Sequence, residues 1–257
     1  MSHDSPSYRA KKKFLNKVLT VFGRKPALEA VMTSGVKIYR VHLSDSNKPA
    51  KILDDIVSLA EKQNAEICYH DRKELSRISK NSKQDQGVAV DLLLPGFEDF
   101  DDFLEQSNQS SFELIALDRI TNPQNLGMII RSVCASPMRG ILLPNKGCAK
   151  LDSLVIKASA GTVFKSSIIR CDSLEESLQA LRERGANVVG LDVRTNQTLA
   201  DYSSSKSTVF VLGNETDGIS KEVNRCCTTN VTIPMANNVE SLNVAITASL
   251  IAFRSVT

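Results

Sequence analysis

From Phe112 onward the chain repeats one pattern, a short and largely apolar run followed by a longer amphipathic segment. The runs that read as strands fall at 112–117, 140–143, 167–170, 187–191, 208–212 and 230–234. The helical segments fall at 123–135, 152–159, 173–184, 219–225 and 241–254. Apolar runs without polar alternation mark strands buried on both faces, and strands that alternate with helices join as parallel neighbours. The fold class is therefore α/β, a mostly parallel sheet covered by helices on both faces. Local chemistry supports the boundaries. Ser173-Leu-Glu-Glu176 is a capping box, Gly185 closes that helix, and Asn122-Pro123 opens another. In such sheets ligands bind beyond the C-terminal ends of the strands.

Residues 21–94 read as a second, smaller α/β unit. Pro26 and Gly35 bracket a helix, Val36 to Leu43 is a strand, and Leu53, Ile56, Val57 and Ala60 share one helical face. Strands follow at Glu66–His70 and Gly87–Leu93, with a helix over Asp71–Ser79 between them. Residues 1–20 read as a basic N-terminal extension with a short helix over 9–18. Residues 95–111, with Pro95, Gly96, the acidic run 98–102 and a Ser/Asn/Gln stretch, read as an acidic linker.

Charge divides along the same lines. Residues 1–90 carry 17 basic and 10 acidic side chains, residues 91–105 carry six acids and no base, and residues 106–257 carry 15 basic and 13 acidic. A basic first third points to a polyanion partner, RNA before others. No apolar run reaches membrane-spanning length and the N-terminus lacks a secretory pattern. The expectation is a cytoplasmic protein whose six cysteines are reduced.

Several chemistries are excluded. The three histidines, His3, His42 and His70, all precede residue 71, so the larger unit holds no Ser-His-Asp or Cys-His arrangement and no ordinary zinc site. Neither G-x-G-x-x-G nor G-x-x-x-x-G-K-[ST] is present, which disfavours a general nucleotide enzyme that cradles phosphates.

Three segments remain. In the first, Asn122-Pro-Gln-Asn125-Leu-Gly127-Met-Ile-Ile-Arg131, a strand runs into a capped helix and Arg131 emerges from an otherwise apolar stretch. In the second, Val209-Phe-Val-Leu212-Gly213-Asn-Glu215-Thr-Asp-Gly218, an apolar strand ends in a Gly-x-Glu-x-x-Gly turn. In the third, Ile233-Pro-Met235 ends a strand, a polar loop follows, and Ser241-Leu242-Asn243 opens the last helix. Asparagine is a weak helix former, so Asn243 is expected to make a specific hydrogen bond.

In this order the three segments resemble the SpoU (TrmH-type) RNA ribose 2′-O-methyltransferases of the SPOUT class. Their patterns are N-x-G-x-x-x-R, G-x-E-x-x-G and I-P-M…S-L-N-V, and Ala158-Ser-Ala-Gly161 is similar to a further family element. The smaller unit resembles an L30e-like substrate-binding domain. Departures are Asn122 where relatives carry aspartate before the proline, Ser136-Pro137 where they often carry Phe-Gly, and Asp85 where they often carry histidine.

The resemblance implies a methyltransferase domain over 112–257 with a C-terminal trefoil knot, S-adenosylmethionine as cofactor, no metal, and a homodimer acting on RNA, ribosomal RNA ahead of tRNA. It implies catalytic roles for Asn125, Arg131, Glu215, Ser241 and Asn243, with Glu215 orienting Arg131. It places the cofactor against Leu212, Gly213, Ile233, Met235 and Leu242. The rival reading is an RNA-binding relative without activity; the five catalytic residues, all present, weigh against it.

Overall fold

The computed structural model describes residues 5–107, 111–192 and 195–256. The chain forms two compact units, one of residues up to 97 with 151–153, the other of residues 98–150 with 154 onward.

The first unit contains α1 (Pro6–Asn16), β1 (Val18–Phe22), α2 (Arg24–Val31), β2 (Lys37–Ser44), α3 (Lys51–Lys62), β3 (Glu66–His70), α4 (Arg72–Ser79) and β4 (Val88–Leu93). Its sheet runs β1-β4-β2-β3. β4 is antiparallel to β1 and β2, and β2 is parallel to β3. α3 buries Leu53, Ile56 and Ala60, the face its spacing dictates.

Residues 18–20, expected in the extension, belong to the sheet of the first unit. β1 pairs with β4 from Val18↔Leu93 to Phe22↔Ala89, and its Leu19 and Val21 are buried in the core. Burial alternates along the strand, but four of its five residues are apolar and basic residues flank it, so the sequence shows no period of two.

The second unit begins with β5 (Phe97–Asp99) and α5 (Phe100–Gln106), then β6 (Glu113–Leu117), α6 (Pro123–Cys134), β7 (Gly140–Pro144) and α7 (Ser153–Ala158). It continues with β8 (Ile168–Cys171), α8 (Leu174–Glu183), β9 (Asn187–Leu191), β10 (Thr208–Leu212), α9 (Lys221–Asn224), β11 (Thr229–Val231) and α10 (Val244–Phe253). The sheet order is β11-β9-β10-β6-β7-β8-β5. The pairs β9–β11, β9–β10, β6–β10, β6–β7 and β7–β8 are all parallel. The expected caps form: Ser173 Oγ accepts from the Glu176 amide, and Asn122 Oδ1 accepts from the amides of Gln124 and Asn125. The last helix starts at Val244, not at Ser241, because Asn243 is its N-cap.

The 95–111 segment is corrected as well. Its described part folds as β5 and α5, and Phe100 and Phe103 join the core of the second unit. The acidic run stabilises the start of this helix. Asp99 caps α5 by accepting from the Asp101 amide, and Asp101 and Asp102 sit in the first turn, where the helix dipole favours anions. Residues 108–110 lie outside the described residues.

All six cysteines are free thiols. Burial pushes the Cys171 and Cys227 thiols up to about 12, so neither is a ready thiolate. No helix among the described residues is long and apolar enough to cross a membrane.

Phe103 meets the Phe112 ring edge-on at 5.2 Å, and the Arg139 guanidinium lies 5.5 Å from its centroid. Phe103→Ala is expected to destabilise the second unit by about 3–5 kcal/mol, read as a lower urea midpoint. A true linker residue would leave the midpoint unchanged.

Candidate active site

β10 inserts between β6 and β9, so the sheet's strand order reverses at the β6/β10 pair. At that switch point the C-terminal ends of both strands lie side by side, Leu117 opposite Leu212. Two loops leave from there, one leading into α6 and the other through residues 213–220.

The loops are fastened by groups that the motif reading passed over. The Asp118 amide donates to Leu212 O at 2.8 Å, and the buried Asp118 carboxylate accepts from the Ser220 amide at 2.6 Å. Asn214 Nδ2 donates to Arg119 O at 3.1 Å, and Arg119 Nη2 donates to Gly218 O at 3.1 Å. Gly213 is obligatory, because a Cβ there would lie 2.1 Å from Gly218 C and 2.2 Å from Ile219 N. A polar residue directly after an apolar strand was the available signal for Asp118.

Three expected site residues meet. Asn125, buried on the first turn of α6, donates through Nδ2 to Glu215 Oε1 in a short hydrogen bond. Its Oδ1 accepts from Asn243 Nδ2 at 3.0 Å. Asn243 Oδ1 accepts from the Ala245 amide at 2.9 Å, so one side chain caps α10 and ties it to α6. Asn243 thus makes the specific hydrogen bond expected of it, but from the cap position. Gly127 lets α6 come close to the 155–159 segment, since a Cβ there would stand 2.4 Å from Ala158 Cβ and 2.9 Å from Ser159 N.

Arg131 does not join this cluster. It is exposed, and its side chain has no hydrogen-bond or ion-pair partner among the described residues. The reason is helical geometry: six residues beyond Asn125 is roughly 240° around the helix at 3.6 residues per turn. Glu215 therefore engages Asn125, and the expected orientation of Arg131 by Glu215 does not occur within this chain. Ser241 is also exposed and makes no hydrogen bond among the described residues.

Of the residues expected on the cofactor side, Leu212 is buried in β10, and Gly213, Ile233, Met235 and Leu242 are half-buried. The segment after β11 is held by backbone bonds, with the Thr232 amide donating to Gln197 O at 2.8 Å and the Leu199 amide to Thr232 O at 2.7 Å. Asn237 and Asn238, both left-handed at φ 55° and 58°, then turn the chain towards α10.

A parallel α/β sheet with these three motifs at its switch point defines the class, an RNA methyltransferase. Residues 112–253 match the model of the SpoU rRNA Methylase family, and residues 20–92 match the model described as RNA 2′-O ribose methyltransferase substrate binding. An uncharacterized tRNA/rRNA methyltransferase of Mycobacterium avium (strain 104) is 34% identical over 233 residues, 90% of this chain and 75% of that protein. Among solved structures, the AdoMet-bound rRNA methyltransferase of Sinorhizobium meliloti aligns with TM-score 0.65 and 22% identity, covering 96% of this chain and 89% of that one. The SpoU methyltransferase AviRb of Streptomyces viridochromogenes, in complex with AdoMet, aligns with TM-score 0.62 and 22% identity, covering 98% and 93%. At these identities the structural likeness is one of fold. The chain belongs to the SpoU methyltransferase family.

Asn125→Asp replaces the donor facing Glu215 with a carboxylate. Repulsion raises the introduced carboxyl's pKa above its unfolded value, so the folded variant holds more protons there than the unfolded one. Its stability should fall as pH rises through that raised pKa. The melting-temperature deficit against wild type is expected to be largest at about pH 8 and to shrink towards pH 5. A deficit independent of pH would remove Glu215 as the partner.

Proposed function

We propose that this protein transfers a methyl group from S-adenosylmethionine to a ribose 2′-OH of RNA, with ribosomal RNA as the substrate class. The observation that carries the reading is the Glu215–Asn125–Asn243 cluster at the switch point of a SpoU-family sheet. The substrate-binding model matched by residues 20–92 supports the 2′-O-ribose specificity, and the description of the family matched by 112–253 favours ribosomal RNA.

The residues suit the cofactor. Leu212, Gly213, Ile233, Met235 and Leu242 offer apolar side chains and backbone groups, and Glu215 offers a carboxylate. None of them is basic, which matches a cationic nucleoside without phosphates. When bound, S-adenosylmethionine supplies an electrophilic methyl carbon. Asn125 and Asn243 hold Glu215 and the start of α10 in fixed relation, which keeps the surrounding loops in place through the reaction. Ser241, exposed just before the α10 cap, is available to the RNA.

Arg131 is assigned to the RNA. A guanidinium remains charged at neutral pH and only donates, so its role is to clamp and stabilise the developing 2′-oxyanion and the adjacent phosphate. The proton leaves to phosphate or water. Its exposure suits a homodimer in which it reaches the partner's site. α10 is apolar on all sides, and Ile246 and Leu250 on it and Met128 on α6 are 52%, 44% and 42% exposed. The same reading includes a trefoil knot in the C-terminal segment and an L30e-like fold for the first unit. The backbone pairing of Thr232 with Gln197 and Leu199 supports the threading. The absence of a membrane-spanning helix among the described residues accords with a cytoplasmic site of action.

The first unit offers a surface for RNA. Arg24, Lys48 and Arg72 surround a cavity of about 660 Å³ together with Ser46, Asn47, Gln86 and Gly87. Arg24 is braced, its Nε donating to Gln86 O at 3.2 Å, whereas Lys48 and Arg72 are exposed and available to phosphates. Gly87 sits at φ 81°, a left-handed backbone conformation that favours glycine.

Two measurements check the reading. Arg131→Ala should slow methyl transfer on the order of 10²–10⁴-fold with cofactor affinity little changed. Arg131→Lys should also be poor, because an ammonium lacks the planar fork. A purified mixed dimer of Arg131→Ala and Asn243→Ala subunits should regain activity; an inactive one would place both residues in the same subunit's site. Separately, Lys48→Glu with Arg72→Glu should weaken RNA binding and reduce the salt dependence of log K by roughly one to two. Unchanged RNA affinity would remove this cavity from the substrate path.

A further inference from the structure

The first unit carries a cluster of side chains for which methyl transfer has no use. β2 and β3 pair with His42 opposite Cys68 and Ser44 opposite His70, so His42, Cys68 and His70 project from one face of the sheet. The metal-ligating atoms of these three residues all lie within 4.8 Å of one another. His42 Nδ1 and His70 Nε2 are 2.9 Å apart.

The outer nitrogens of both rings face carboxylates. His42 Nε2 lies 3.1 Å from Asp91 Oδ2, and the other Asp91 oxygen accepts from Thr20 Oγ1 at 2.6 Å. His70 Nδ1 lies 3.7 Å from Glu74 Oε2. A carboxylate behind an imidazole holds the N–H on the outer nitrogen and turns the inner lone pair forward. Applied to both rings, this aims two lone pairs at the same point. Without a cation, two neutral rings at this distance need one to donate to the other, so one of the two carboxylates loses its N–H partner. With a cation between them, both rings adopt the tautomer their carboxylates favour.

We propose that His42 Nδ1, His70 Nε2 and Cys68 Sγ bind a late first-row divalent cation, zinc by ligand chemistry. Two imidazoles and a thiolate are borderline-soft donors, which select zinc over magnesium or calcium. Two nitrogens at about 2.0–2.1 Å from a tetrahedral zinc stand roughly 3.4 Å apart, so the rings need separate by only a few tenths of an ångström. Cys68 Sγ now donates to Glu66 Oε1 at 3.3 Å. On binding, that thiol proton passes to solvent, the donating ring's proton moves to its outer nitrogen, and Glu66 keeps its Arg40 partner, whose Nε donates to it at 2.8 Å. The fourth position is left to water. Entry is open, because β3 is the edge strand and Cys68 and His70 are only half-buried, while His42 is buried beneath them. The site joins the edge strand to β2 and is independent of the methyltransferase reading.

The test uses the full-length protein, stripped with a chelator and titrated with cobalt(II) alone. One equivalent is expected to give the thiolate-to-cobalt charge-transfer band in the near ultraviolet and the intense visible bands of four-coordinate cobalt, with zinc erasing both. Cys68→Ser, nearly isosteric at a half-exposed position, should lose the charge-transfer band and retain the fold by circular dichroism. His70→Ala, the second variant, should weaken cobalt binding on the order of 100-fold, and Asp91→Asn roughly 10–100-fold through His42. No band at stoichiometric cobalt would overturn the proposal and leave the histidine pair bridged by a proton. A band that persists in Cys68→Ser would also overturn it, placing the metal on other cysteines.

Discussion

Strand β10 lies in register between β6 and β9, with Leu212 opposite Leu117, and the two loops bearing Asn125 and Glu215 leave the sheet side by side from that pairing. The three central residues of each strand are buried, so slipping the register would bury polar loop atoms and expose apolar ones. Asp118 extends the constraint beyond the sheet. Its amide continues the β6–β10 ladder to Leu212 O, and its carboxylate fixes the Ser220 amide at the far end of the 213–220 loop. Gly213 and Gly218 can then approach within contact distance, and Glu215 is held at the tip where Asn125 meets it.

Hydrogen bonds between motif residues do the rest of the positioning. Asn125 uses both ends of its amide, one towards Glu215 and the other towards Asn243, so a single buried side chain connects the first and last of the three motifs. A buried amide satisfied in this way is costly to disturb, because each lost partner leaves a desolvated polar atom behind. Ser132 and Ser249 add a second polar contact between α6 and α10, 2.8 Å between hydroxyl oxygens, in an otherwise apolar interface. Gly127 belongs to the same group for a different reason: it is in the motif because α6 must lie against residues 155–159, not because it touches a substrate.

Much of the second unit was legible in the sequence because its signals are local. The largely apolar strands, the Ser173 cap and the Asn122-Pro123 helix start depend on neighbouring residues, and each appears where expected. What stayed hidden depends on distant partners or on charge overriding pattern. β1 is a short apolar run that sits between basic residues and finds its partner 71 positions away, Thr20 against Asp91. α5 was concealed by acids that in fact occupy its first turn. The start of α10 was misread because Ser241 is also a good capping residue, and only the Asn125 carbonyl, 118 positions earlier, favours Asn243 as the cap. Arg131 was legible as a residue on α6 but not as a solitary one, since its partners are absent from its own chain's described residues.

The contact between Asn243 and Asn125 also has a consequence for biosynthesis. Synthesis proceeds from the N-terminus, so β6, β10 and their loops leave the ribosome before the residue that completes the cluster. Until Asn243 has emerged, Asn125 Oδ1 lacks its donor, and the face of α6 that α10 covers remains bare. A nascent or prematurely terminated chain can therefore form most of the sheet yet lack the assembled Glu215–Asn125–Asn243 cluster. Assembly of the site therefore waits on the last helix, whose side chains both complete the cluster and cover the apolar face of α6.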